Sequence, residues 1–360
     1  MPNLIRLSIL FLSINLVSTF SFADNLPIKI GVITPLTGGL SIIGNALKNG
    51  IELAKQENPR LFENLEFIYE DDQYEAKQSI AAYRKLKDVN KVDLIFGFGV
   101  KVGNVLAPIA ENDKMLLVNF SFEAAPVIGK NYVMRSVNST KHYMEVFAEY
   151  MKKNNKTFSY IRTEISFFTA MANDFKNALG EEYTVNELAV VNPDNNDFKT
   201  IILKLKSNNS QSVGLFLLPD QIISFVNQAK SLGANFKYFG TDLFESAAEN
   251  VKSNKLLDGS LYPDNEVSPE FRKKYIDRFG NESQIAFAGN AHDITVLFAQ
   301  LLEKQNKYNT SSFIESLNSV KKQNGVLGEF SFKKDDTTGM YFDFPIFVKE
   351  ISESHGKVIK

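Results

Sequence analysis

The sequence predicts an α/β protein of two doubly wound parallel-sheet lobes. Short runs rich in Val, Ile, Leu and Phe alternate with amphipathic stretches of helical length, and parallel strands need such crossovers. The alternating series occurs twice, at comparable length. The chain has 360 residues, 44% hydrophobic and 23% charged, a globular composition of two-domain size.

The run at 28–33 is apolar with β-branched residues and reads as a strand. Pro35 and two glycines make 34–39 a loop. Ala46, Leu47, Gly50, Ile51 and Ala54 recur at helical spacing in 43–56. A strand at 65–70, a helix at 76–89, a strand at 92–96, a helix at 102–112 and a strand at 115–119 complete the first series. The second places strands at 157–162, 183–190, 212–217 and 238–240. Between them lie helices at 168–179, 197–206 and 221–232, the last closed by Gly233. Further helices are expected at 270–279, 284–305 and 312–320.

Composition excludes several functions. Lys and Arg number 40 against 42 acids, so no basic excess exists to neutralise a phosphate backbone. With Cys at zero there is no disulfide, thiol nucleophile, Cys-bound metal or acylated lipoprotein anchor. His142, His292 and His355 lie far apart, with no i,i+4 pair for a metal. Residues 1–23 combine Arg6, an apolar core at 7–17 and Ser21-Phe22-Ala23. This is the anatomy of a secretory signal peptide cleaved before Asp24, so the chain is expected to be periplasmic. No later stretch is expected to span a bilayer.

Ligands of open α/β sheets bind beyond the carboxyl ends of the strands. Those ends are 34–39, 97–101, 119–123, 162–168, 218–220 and 240–243. They offer Gly, Phe, Ser, Pro and single acids, with no Ser-His-Asp set, so no catalytic residue, cofactor or metal is expected. Glu70-Asp71-Asp72 reads as a solvated strand end, because three adjacent strand residues do not face one ion.

The segment IKIGVITPLTGGLSIIGNALKNGIELA at 28–54 resembles the opening of the type I periplasmic binding proteins, in their Leu/Ile/Val-binding branch. Four later segments keep the order: Tyr69-Glu70-Asp71-Asp72 with Lys77, Ala107–Glu111 with 115–119, Ala291-His292-Asp293, and Gly328–Phe332 with Asp336 and Gly339. The third has His where the family has Tyr. The resemblance implies two lobes joined by three crossovers near 136–140, 262–266 and 325–328. One lobe is then 24–138 plus 265–325, the other 139–264 plus 326–360. Asn138, Ser139, Pro263, Asp264 and Gly325 are the hinge candidates.

The family's amino-acid clamp carries over position by position. Its carboxylate-binding Ser falls on Val100, or on Lys101 with a one-residue slip. Its Thr after the fourth strand falls on Glu123, beside Ser121 and Phe122. Its second-lobe aromatic falls on Phe167, its ammonium-binding acid on Asp242, a further aromatic near Pro219 and Asp220, and a first-loop aromatic on Ile43. Phe98 and Gly99 stand at the same strand end. Val100 brings no hydroxyl, and Glu123 puts a negative charge where a carboxylate would sit. The set therefore suits an amine or other donor head with an apolar body, held by Glu123, Asp242 and Asp220 against Phe98, Phe122 and Phe167. The resemblance implies a monomeric solute-binding protein, not an enzyme, that meets an ABC-transporter permease transiently. A ligand sensor of the same fold is the second reading; a secreted hydrolase using paired carboxylates is the third.

Overall fold

The computed structural model describes residues 26–153, 156–208, 210–250, 255–305 and 307–360. The leader expected at 1–23 and its cleavage point before Asp24 lie outside the described residues.

The first series forms β1 (Ile28–Thr34), α1 (Ser41–Glu57), β2 (Leu65–Asp71), α2 (Ala76–Arg84) extended by a π-helical turn (Lys85–Asn90), β3 (Leu94–Phe98), α3 (Val100–Asp113), β4 (Leu116–Phe120) and β5 (Val133–Arg135). The second is α4 (Thr140–Met151), β6 (Thr157–Thr163), α5 (Ser166–Leu179), β7 (Thr184–Val191), α6 (Lys199–Ser207), β8 (Ser212–Phe216), α7 (Pro219–Ser231), β9 (Lys237–Gly240), α8 (Leu243–Asn250) and β10 (Leu261–Asp264). Then come α9 (Pro269–Phe279), α10 (Ile285–Glu303), α11 (Thr310–Leu317), β11 (Gln323–Gly325), β12 (Gly328–Asp335), β13 (Gly339–Asp343), β14 (Phe347–Ser352) and β15 (His355–Val358).

Two sheets result, ordered β11-β12-β13-β5-β4-β3-β1-β2 and β15-β14-β10-β9-β8-β6-β7. Pairing is parallel through β2-β1-β3-β4-β5-β13 and through β7-β6-β8-β9-β10. The outer strands β11, β12, β14 and β15 join antiparallel. Central strands such as β3 and β4 are buried throughout, which is why they read as unbroken apolar runs. Each lobe has its own core. Phe158, Phe175, Phe216 and Phe239 centre the second, while Phe96, Phe120, Phe298 and Phe342 serve the first. Helix α10 packs on α1 at Gly50, where a Cβ would run into the Ala288 carbonyl.

The chain passes between sheets at 136–139, 265–268 and 344–346. The third passage corrects the expectation of 325–328, and with it the assignment of 326–343 to the second lobe. Strands β12 and β13 stay in the first sheet because Phe330, Phe332, Met340 and Phe342 enter the first lobe's core. Gly325 is no crossover: it pairs with Gly328 in a tight hairpin. Asp293 fastens that turn by accepting from the amides of Val326 and Leu327 at 2.8 and 3.0 Å. The three passages are strapped together. Asn138 Nδ2 donates to Asp343 Oδ1 at 2.6 Å, Asn138 Oδ1 accepts from the Phe344 amide, and Asn265 Nδ2 donates to the Pro345 carbonyl at 2.6 Å.

Helix α10 also corrects the membrane expectation, since its length and composition would allow it to cross a bilayer. It is almost wholly buried inside the first lobe, as the helix of a packed core.

Candidate functional site

The carboxyl ends of both parallel sheets face each other across a cleft, and the lobes meet there. Gln284 Nε2, at the start of α10, donates to Ser246 Oγ of α8 at 2.9 Å. Among the described residues, small cavities lie between the lobes, and two of them are each about 10 Å³, roughly the space of one water molecule. One is bounded by Phe122, Val137, Gln284, Ala286, Phe287 and Asn290, and by Asp242, Glu245, Asp264 and Asn265. The other is bounded by Phe122, Tyr143, Phe167, Met171, Asp242, Pro263 and Asp264.

Asp242 and Asp264 border both cavities because Asp264 ends β10 and Asp242 stands two residues beyond the neighbouring β9. Burial first, then the charge of Glu245, pushes the Asp242 carboxyl up to about 7. Burial also pushes Asp264 up to about 8, with Glu245 and Asp242 adding to the rise and Lys349 opposing it. Lys349, on β14 and 1% exposed, is their cation. Its Nζ lies 2.9 Å from Glu266 Oε2, 3.4 Å from Asp264 Oδ2 and 3.5 Å from Glu245 Oε1. Tyr262 donates a short hydrogen bond to the same Glu245. The cluster thus holds Asp242, Glu245, Asp264 and Glu266 around one buried ammonium; Arg272 shares Glu266 from outside at 2.7 Å.

The first-lobe wall is built differently. Gly99 turns the chain from β3 into α3 at φ +85°, and a Cβ there would meet the Tyr74 ring. The Tyr74 hydroxyl accepts from the Lys101 amide at 3.2 Å and so occupies the start of α3. Lys101 itself is exposed, with Nζ at 3.0 Å from Glu75. Val100 is buried and lines neither cavity. Phe98 stands behind the wall, edge-on to Phe287 at 5.5 Å. Ser121 Oγ accepts from the Glu123 amide at 3.3 Å. Glu123 is half-buried, its Oε2 has no partner, and burial raises its carboxyl.

Of the sequence-derived positions, the structure brings Phe122, Phe167 and Asp242 together at the cavities. Ile43, like Phe122, packs against the cores of both lobes. Pro219 and Asp220 border neither cavity. They open α7, where exposed Asp220 offsets the positive end of the helix dipole. Ser139 is buried at the first passage, its hydroxyl 3.3 Å from His142 Nδ1. Pro263 and Asp264, read as hinge residues, border the cleft as well. Glu70, Asp71 and Asp72 hold local structure: Glu70 meets Lys85 at 2.7 Å, Asp71 accepts from the Leu36 amide at 2.9 Å, and Asp72 accepts from Ser79 at 2.7 Å. His292, in the place of the family's Tyr, bridges Glu57 at 3.0 Å and Asp293 at 3.1 Å.

Sequence reasoning placed a helix at 284–305 but missed that its first half lines the cleft. Gln284, Phe287 and Asn290 form the cleft's first-lobe floor, and Asn290 is 1% exposed. An amide inside an otherwise apolar helical run was the available signal.

The sequence matches the family described as "Periplasmic binding protein" over residues 27–347. The Leu/Ile/Val-binding protein BraC3 of Rhizobium johnstonii is 26% identical over 247 residues, 64% of this chain and 66% of that protein. The chain's match thus spans just under two thirds of that relative. A Leu/Ile/Val-binding protein homolog of Brucella melitensis is 26% identical over 54% of this chain and 55% of its own length. Among solved structures, a leucine-binding protein from Thermotoga maritima superposes with a TM-score of 0.79 at 21% identity, over 92% of this chain and 98% of that one. A solute-binding protein of an ABC transporter from Rhodopseudomonas palustris, in complex with 3,4-dihydroxybenzoic acid, gives 0.77 at 18% identity, over 91% and 93%. At such identities the structural likeness is one of fold. The sequence match is wider in meaning, because it runs from the first strand through the third passage between lobes: the chain belongs to the periplasmic binding protein family.

Proposed function

We propose that this chain is an exported solute-binding protein that closes its lobes around a small organic ligand and delivers it to the permease of an ABC importer. The ligand is amino-acid-like or amine-bearing, with an apolar body. The carrying observation is the cleft itself: carboxylates Asp242 and Asp264 face Phe122, Phe167 and Phe287 at the strand ends of two lobes. Cavities of about 10 Å³ are far below the ~300 Å³ of a ligand pocket, so binding requires the lobes to separate. The three passages are the places where backbone dihedrals change. Asn138, Ser139, Pro263, Asp264 and the segment 344–346 carry that change, and the straps among them make the passages move as one unit. The relatives include Leu/Ile/Val-binding and leucine-binding proteins, and one fold neighbour is in complex with dihydroxybenzoate, which supports a solute-binding role. Cleavage before Asp24 releases the chain to the periplasm, where it works as a monomer that meets its permease transiently.

The test is native mass spectrometry of the protein purified from the periplasm, with identification of any released molecule and N-terminal sequencing of the same sample. A released small organic molecule whose rebinding lowers the radius of gyration is the expected result. A protein that carries nothing, binds nothing from a metabolite library and never changes its radius of gyration refutes the solute-binding reading.

A further inference from the structure

We infer that the ligand's head is a cation without a carboxylate: an aliphatic or aromatic amine, or an amidine or guanidine, and not an α-amino acid. The inference rests on the solute-binding reading and specifies the chemistry of that same cleft. Its first ground is where the lining donors point. One N–H of each of the Asn265 and Asn290 side-chain amides, which opening of the lobes does not release, goes to the Pro345 and Ser136 carbonyls, at 2.6 and 2.8 Å. The Tyr143 hydroxyl donates to Asn265 Oδ1 at 2.5 Å. Lys349 is held by three carboxylates.

The second ground is what is left facing the cavity. Asp242 and Asp264 are there, and a cation beside them draws both carboxyls, which burial pushes up, into the ionised, purely accepting form. Asn290 is nine-tenths buried and more, and its amide orientation is fixed by the bond to the Ser136 carbonyl, so the atom without a partner is Oδ1, an acceptor. Polar groups buried without partners are costly, and a donor from the ligand is the chemistry that satisfies an acceptor. A protonated amine or guanidinium carries only donors.

The third ground is the first-lobe wall, where a carboxylate would need N–H or O–H groups. Val100 supplies no hydroxyl, Tyr74 occupies the Lys101 amide, and the Lys101 ammonium is turned to Glu75. Beside them the unpartnered Glu123 Oε2 adds negative charge. An α-carboxylate brought here meets a like charge, with the Lys101 amide and ammonium already engaged, and like charges in a desolvated site repel strongly.

The experiment is titration calorimetry of the protein, stripped of any bound molecule and refolded, with three pairs that differ only by the carboxylate: phenethylamine and phenylalanine, 3-methylbutylamine and leucine, agmatine and arginine. The expected result is binding of at least one amine at least tenfold more tightly than its amino acid. Asp242→Asn and Asp264→Asn, each checked for an intact fold by circular dichroism, lower that amine's affinity ten- to a hundredfold. Tyr74→Phe, which leaves the ring and frees the Lys101 amide, narrows the gap between the partners of that pair severalfold. Equal or tighter binding of the amino acid overturns the inference, as does failure of all six to bind. Release of a carboxylate ligand from the purified protein also overturns it, while leaving the solute-binding reading intact.

Discussion

Replacing Lys349 by Met separates the charge logic of the cleft from its packing. Met has similar length and no charge, so the change keeps most of the volume at a site 1% exposed. It removes the one cation between Glu266, Asp264 and Glu245, at 2.9, 3.4 and 3.5 Å. Breaking a buried pair from one side typically costs about 3–5 kcal/mol, because the other charge stays behind unpaired. Near 2.1 cal/mol/K per residue, a chain of this size has an unfolding entropy of roughly 0.7 kcal/mol/K. If it melts as one unit, the expected drop is about 4–7 °C. The loss should also depend on pH. Without Lys349 the carboxyls of Asp264 and Asp242 are pushed further up, so the folded mutant binds protons that the unfolded chain does not. Its stability then falls as pH rises, and the gap to wild type is wider at pH 8 than at pH 5. Differential scanning calorimetry at both values is the assay, with Lys349→Met/Asp264→Asn as the second arm. Neutralising Asp264 should return part of the loss, as coupling within one cluster requires. A single mutant that melts like wild type at pH 8, or a double mutant whose losses simply add, would refute the account of a cation holding these acids.

Closing the lobes buries Asp242 and Asp264, whose carboxyls rise to about 7 and about 8, so closure without ligand takes up protons. Small-angle scattering of the ligand-free protein should therefore show a larger radius of gyration at pH 9 than at pH 5, and no pH effect in Asp242→Asn/Asp264→Asn; equal radii in the wild type count against it. Gly50→Ala should lower stability by about 1–3 kcal/mol through overpacking of α1 on the Ala288 carbonyl, read by urea unfolding, while ligand affinity stays unchanged.

The parallel sheets were legible because their central strands are apolar on both faces, and the helices between them because their apolar residues recur at helical spacing. What escaped depended on partners far away in sequence. Strand β5 has three residues, too few to show a period. Helix α4, the hinge strand β10 and the closing strands β14 and β15 were not read as elements at all. The family resemblance implied a crossover at 325–328, yet Asp293, more than thirty residues earlier, pins that segment into the first lobe. In the cleft, Asp242 was legible from its place just after a strand. Asp264 was legible only as part of a Pro-Asp turn, since its cavity depends on the pairing of β10 with β9 and β14. Lys349 gave no signal: a lysine in a strand points to solvent or to the interior by register, and its register with Tyr262 follows from the third passage. The absence of a hydroxyl at Val100 was visible in the sequence, but its consequence was not, because the Tyr74 hydroxyl reaches the neighbouring amide from another loop.

These features combine into one account of why the lobes respond to a ligand. A ligand shifts an opening equilibrium only by its different contacts with the two states. On the proposed solute-binding reading the open state hydrates Asp242, Asp264 and Glu123, while the closed state dries them, with Lys349 as the buried cation beside Asp264. Closure without ligand therefore carries an electrostatic penalty that closure around a cation does not. The same arrangement makes discrimination an outcome of closure. A neutral molecule of the same shape fits the rings of Phe122, Phe167 and Phe287 yet leaves the penalty in place, and an anion enlarges it. Removing Lys349 deepens the negative field, so Lys349→Met should melt earlier and still hold a cationic ligand more tightly. Loss of stability with gain of affinity is the pairing that a purely structural lysine would not produce.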